Sequence, residues 1–122
     1  MPTLNDRVFD NGLNVLDTEA NRLDICSQEP TTYAAATTTY TLGNKTSLSI
    51  GAPADGSTGR KVTVAAITDG TVSASGTATH YAIVDTVNSR LLATGALASP
   101  QVVTSGNTFT LAAFDIRIPD PA

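Results

Sequence analysis

Lys61-Val62-Thr63-Val64-Ala65-Ala66-Ile67-Thr68-Asp69-Gly70-Thr71-Val72-Ser73-Ala74-Ser75-Gly76 is the stretch on which the reading of this chain turns. Its Val, Ile and Thr residues are stiff at χ1 in a helix and pack well on a pleated strand. Asp69-Gly70 accepts the positive φ angles of a two-residue hairpin turn. The sequence therefore predicts residues 61–67 pairing with 71–76 across that dipeptide.

Reading toward the C-terminus, residues 79–86 form the next strand and turn through Val87-Asn88-Ser89 into 90–94. Residues 101–104 turn through Ser105-Gly106-Asn107 into a long final strand, 108–118. In that strand Phe109, Leu111 and Ala113 occupy odd positions, whereas Phe114, Ile116 and Ile118 occupy even ones. Side chains alternate faces, so one sheet face cannot hold both sets. The pattern calls for a bulge or bend near Ala112-Ala113, or for a strand that crosses from one sheet to another. Pro119-Asp120-Pro121 ends it.

Reading toward the N-terminus, residues 51–59, with Pro53, Asp55-Gly56 and Ser57, form an exposed loop. Residues 46–50 make a short strand with Leu48 and Ile50 facing one way. Residues 37–41 favour an extended chain, and Tyr33-Ala34-Ala35-Ala36 fits one helical turn after the break at Pro30. Residues 22–27 alternate as a strand with Leu23 and Ile25 on one side. Before them Val8, Phe9, Leu13 and Leu16 make a helical stripe over about 5–18, which Asn5 or Asp6 can cap. Gly12 weakens that helix by about 1 kcal/mol relative to Ala.

Several short strands with turn signals between them predict a mainly β fold. The expected architecture is an antiparallel β-sandwich or partly open barrel with one short N-terminal helix. A length of 122 residues suits a single β-rich domain over residues 1–122. In that division the N-terminal arm and helix span about 1–18, the β-domain about 22–118, and a short tail follows.

Composition agrees. Thr, Ala, Ser and Gly dominate, there is no Trp, and charged residues make up 15% of the chain. Few large side chains are present to fill a thick core or line a deep pocket, which favours a thin two-layer structure. The net charge is −4 and the pI about 4.6. The seven Lys and Arg are scattered, with only Arg60 and Lys61 adjacent, and not interleaved with aromatics, which argues against a nucleic-acid partner. Cys26 is the only cysteine, so no intrachain disulfide is expected. Met1-Pro2-Thr3-Leu4-Asn5-Asp6 lacks the basic start and apolar run of a signal peptide. No apolar stretch is long enough for a membrane span, so neither a secretion route nor a membrane partner is expected.

Reactive groups do not cluster along the chain. His80 is the only histidine, which excludes a two-histidine metal site. A Ser, His80 and Asp85 triad can be written, but no Gly-x-Ser-x-Gly elbow accompanies it. His80 reads better as a partly buried or interface residue. Cys26 has no basic neighbour to favour a thiolate and reads as a buried, inert thiol. The carboxylates are single, and Asp10, Asp17 and Asp24, seven residues apart, look like a solvated face or caps. Neither a calcium loop nor a phosphate-binding loop fits residues 51–59. The expectation is a protein that is not an enzyme and needs no cofactor or metal.

Four runs now permit a comparison: Asn5-Asp6-Arg7-Val8-Phe9-Asp10, Leu23-Asp24-Ile25-Cys26-Ser27-Gln28-Glu29-Pro30-Thr31-Thr32-Tyr33, Gly59-Arg60-Lys61-Val62, and Ser75-Gly76-Thr77-Ala78-Thr79-His80-Tyr81-Ala82-Ile83-Val84-Asp85. Together they resemble small virion proteins of tailed bacteriophages and prophages. The resemblance covers most of the chain, and its motifs are structural. It implies a capsid decoration (cement) protein, of a kind that is small, β-rich and trimeric and clamps capsid subunits at local symmetry axes. The implied partners are the major capsid protein and two further copies in a homotrimer. The implied location is the capsid surface of the virion, after folding in the bacterial host cytoplasm. Pro2, Thr3, Leu4, Asn5 and Arg7 in the arm and helix, with Pro53, Asp55 and Arg60 around the exposed loop, are the expected partner contacts. A tail, neck or fibre-associated virion component is the alternative. A carbohydrate-binding adhesin is disfavoured by the lack of Trp, and a hydrolase using His80 is a further competitor.

Overall fold

The computed structural model describes residues 6–55 and 59–118, with side chains from residue 11 onward. The protein is mainly β with one short helix. Helix α1 (Asp6–Glu19) precedes β1 (Arg22–Cys26), a π-helical turn (Ala35–Thr39) and β2 (Thr41–Thr46). Then come β3 (Ala54–Asp55), β4 (Arg60–Val64), β5 (Ile67–Val72), β6 (Gly76–Asp85), β7 (Arg90–Val103), β8 (Thr108–Leu111) and β9 (Phe114–Ile118). Two compact units result: residues 20–48 with 67–111, and residues 1–19 with 49–66 and 112–122.

The first of these units is a six-stranded sheet in the order β7-β6-β1-β2-β5-β8, antiparallel throughout. Its edges, β7 and β8, are consecutive in the chain and joined by residues 104–107 alone. So short a link obliges the sheet to curl, and it forms a half-barrel. Gln101 Nε2 donates to the Thr110 carbonyl at 2.9 Å, tying one edge to the other.

Register places the core. Leu23 lies opposite Ile83, and Ile25 lies between Tyr81 and Gly43 on the neighbouring strands. Leu23, Ile25 and Ile83 are completely buried. On this face two aromatic rings lie over glycines of the next strand: Tyr81 opposite Gly95 and Phe109 opposite Gly70. A Cβ on Gly95 would come within 2.6 Å of the Tyr81 hydroxyl, and one on Gly70 would overlap the Phe109 ring. Glycine is required there because another side chain fills the space its own would take.

The other face is covered by the segment around the π-helical turn. Cys26, Ala36, Ala82 and Val84 form a buried cluster, with Tyr33, Tyr40 and Leu91 packed against it. The Tyr40 N–H reaches the Ala35 carbonyl at 2.9 Å, five residues back. Thr37 Oγ1 donates to the Tyr33 carbonyl at 2.9 Å. Residues 37–39 are thus helical, not extended as their β-branching suggested. The hydroxyl bonding back along the turn offsets that preference.

The predicted hairpin across Asp69-Gly70 is absent. Both residues lie inside β5, which pairs with β2 and β8. Asp69 makes a cross-strand ion pair with Lys45 at 3.0 Å instead of shaping a turn. The predicted strand at 46–50 also fails: β2 ends at Thr46, Ser47 takes a φ of +55°, and Ile50 makes only an isolated bridge to Val64.

The second unit contains α1 and the three-stranded antiparallel sheet β3-β4-β9. β4 and β9 pair so that Val62, Val64, Phe114, Ile116 and Ile118 share one face. Lys61, Thr63, Asp115 and Arg117 share the other. Leu13 and Leu16 of α1 are buried, and Gly12 sits where a Cβ would touch Ile118 at 3.4 Å. The parity break at Ala112-Ala113 proves to be a change of sheet: β8 belongs to the six-stranded sheet and β9 to the three-stranded one. The expected cap Asn5 lies outside the described residues, as do the side chains of Asp6, Val8 and Phe9.

Candidate contact surface

Three of the expected contact residues come together. β3 and β4 pair through Asp55 and Arg60, and Arg60 Nη1 donates to Asp55 Oδ1 at 2.7 Å. Arg60 Nη2 also reaches the Pro53 carbonyl at 3.5 Å. The guanidinium therefore fastens the start of the loop to the sheet, while the Asp55 side chain stays 85% exposed. The loop predicted over 51–59 is in part this short strand pair, and residues 56–58 lie outside the described residues. Pro2, Thr3, Leu4 and Asn5 lie outside them too, as does the side chain of Arg7.

On the polar face of β4 and β9, Asp115 is the centre of a small network. It accepts from Thr63 Oγ1 at 2.7 Å, Lys61 Nζ at 3.3 Å and Arg117 Nη2 at 3.5 Å. The Thr63 hydroxyl first, then Lys61 and Arg117, hold its carboxyl below the usual range.

The remaining reactive groups are committed locally. Asp24 is fully buried and takes a fork from Arg22, Nε at 2.6 Å and Nη2 at 2.8 Å, with Thr41 Oγ1 at 2.7 Å. That bond to Asp24 also raises the Arg22 pKa. Asp24 is thus not part of a solvated acidic face. The Arg22-x-Asp24 spacing held the signal, because residues two apart on a strand share a face. Asp85 shapes the turn between β6 and β7, accepting from the Val87 and Asn88 N–H groups and from Asn88 Nδ2 at 2.9 Å. The Asn88 side chain, foremost, lowers its pKa. Cys26 is fully buried, its thiol 3.7 Å from the Ala36 carbonyl, and burial pushes it up to about 12.

His80 is half-buried with Nδ1 2.9 Å from Thr79 Oγ1. Asp85 lies five residues further along the same strand, roughly 16 Å at the rise of an extended chain. The His80–Asp85 arm of the written triad therefore does not form. Among the described residues no group of three or more His, Cys, Asp or Glu could hold a metal ion. No described helix is long and apolar enough to cross a membrane.

No family model, curated protein or solved structure matches the chain. What the sequence did not single out are two exposed valines, Val87 on the β6–β7 turn and Val102 on β7, 81% and 83% exposed.

Proposed function

We propose that the protein is a structural component of a tailed-phage virion, a decoration or cement protein. It would stabilise the head by binding the outside of the major capsid protein lattice. The observation that supports this most is how the polar chemistry is used. Asp24, Asp85 and Asp115 are each held by donors from their own or neighbouring strands and turns, and Cys26 is sealed beneath Ala36. Side chains committed in this way maintain a shape, and a fixed shape is what a clamp requires.

Such a protein acts by mass action. Binding only the mature shell stabilises it by RT ln(1 + [L]/Kd) per site, about 2.7 kcal/mol at a hundredfold excess over Kd. Many identical sites multiply the effect. The test is sedimentation with empty mature shells of the phage that encodes the protein. Co-sedimentation at a fixed ratio to capsid subunits is expected. Failure to pellet, with density for the protein in the tail or neck of the imaged virion, would replace this reading with the tail-associated one.

A further inference from the structure

Asparagine is thermolabile because the backbone nitrogen of the residue after it can attack the side-chain carbonyl carbon. A large following side chain shields that nitrogen, whereas glycine or serine leaves it open. Among the asparagines of this chain only Asn11 and Asn88 precede Gly or Ser. Both are exposed, and the fold treats their neighbours in opposite ways.

Asn11 lies within α1, where each backbone N–H donates to the carbonyl four residues back. The Gly12 nitrogen is held in that ladder, and attack on Asn11 would break a turn of the helix. Asn88 lies in the turn from β6 to β7, where residues 86–89 are all exposed. Ser89 takes a left-handed φ of +55°, uncommon for a residue with a side chain. Its N–H makes no hydrogen bond among the described residues, so no ladder restrains the nitrogen.

Asp85 fixes the group under attack. A carboxylate only accepts, so Asn88 Nδ2 is the atom that faces it, at 2.9 Å, with the Asn88 N–H on the other oxygen at 3.3 Å. The nitrogen that must leave therefore points at Asp85, and the amide oxygen lies on the branch turned away from it.

We infer that Asn88 is a site of spontaneous deamidation, to aspartate and isoaspartate, through the Ser89 backbone nitrogen. That nitrogen loses its proton to solvent base and bonds to Asn88 Cγ. The Cγ–Nδ2 bond breaks, and the nitrogen leaves with a solvent proton as ammonia, which closes a cyclic imide. Water then adds to either imide carbonyl and opens the ring. One opening gives aspartate; the other reroutes the main chain through the side chain and gives isoaspartate. An amide is exchanged for a carboxylate with no oxidant or reductant. The new carboxylate stands where Nδ2 donated, so Asp85 loses a bond and meets a like charge. The turn that presents Val87 opens as a result. The inference does not rest on the decoration reading.

The test is peptide mapping by mass spectrometry after prolonged incubation of the native protein in mildly alkaline buffer, beside a sample unfolded in urea. The folded protein is expected to gain about 1 Da at residue 88, with isoaspartate among the products, before Asn11 changes. In urea the order should reverse, since Gly12 shields its nitrogen less than Ser89 does. In the aged fraction the Val87 and Asn88 amides, bonded to Asp85 in the native protein, should lose their slowed exchange. Asn88→Asp should copy the aspartate product in that measurement. Conversion at Asn11 ahead of Asn88 in the folded protein, no conversion at Asn88, or one order in both samples overturns the inference. An Asn88→Asp variant that keeps the Val87 amide protected overturns the opening of the turn.

Discussion

Gly70 and Gly106 look alike in the sequence, each beside an Asp or Asn and each between runs of β-forming residues. They do opposite work. Gly106 sits in a true turn with φ of +90° and nothing within 4 Å of where a Cβ would be. Gly70 sits inside β5 beneath the Phe109 ring, in a strand that runs straight through the Asp-Gly pair. One glycine is needed for its backbone angle, the other for its missing side chain. A turn signal therefore marks a glycine's presence, and only its neighbour across the sheet says which of the two needs is being met.

The contrast is open to direct attack. Gly70→Val should have the largest effect, costing about 3 kcal/mol in urea unfolding because the new side chain and Phe109 claim one space. Combined with Phe109→Ala it should cost less than the sum of the two single changes, since the pair is in contact. Additive costs would mean that Phe109 does not lie over Gly70.

A third turn sharpens the point, because Asp85 organises it by accepting bonds and needs no glycine. Its folded pKa is depressed, chiefly by Asn88, so its contribution is fully present above the ordinary carboxylate range. That contribution is lost as the pH falls through the lower folded value. Asp85→Asn cannot titrate, and its acid unfolding curve should be flatter than that of the native protein over this interval. Equal slopes would show that the carboxylate is not holding the turn.

Gly106→Ala should cost about 1 kcal/mol, purely from the left-handed backbone, and no second-site change in a side chain should rescue it. Gly12→Ala should have the smallest effect and the opposite sign, a gain of at most about 1 kcal/mol in thermal unfolding. The added methyl meets Ile118 at an ordinary contact distance, and the helix loses an entropic penalty. A loss on that substitution would place α1 tighter against β9 than described.

Local chemistry made much of the fold legible. The helix was expected over 5–18 and found over Asp6–Glu19, and the turn at Val87-Asn88-Ser89 joins β6 to β7 as expected. The parity of Phe109 and Phe114 foretold the change of sheet as one of two outcomes. Pairings over long separations were not legible, because β5 meets β8 through a fit of Gly70 to Phe109 that no window of sequence contains. The π-helical turn hid behind three threonines, of which Thr37 bonds its hydroxyl back along the turn. Of the contact residues, the sequence placed Pro53 and Asp55 in one loop with Arg60 just after it, but not the Arg60 clasp that joins them.

The claim beneath all of this is that the protein works by adding contact area to a viral particle. Its most direct test is the temperature at which empty mature shells come apart, measured as the purified protein is titrated onto them. The account predicts a rise that saturates at a fixed number of copies per capsid subunit. A disassembly temperature that does not move at any concentration would contradict it.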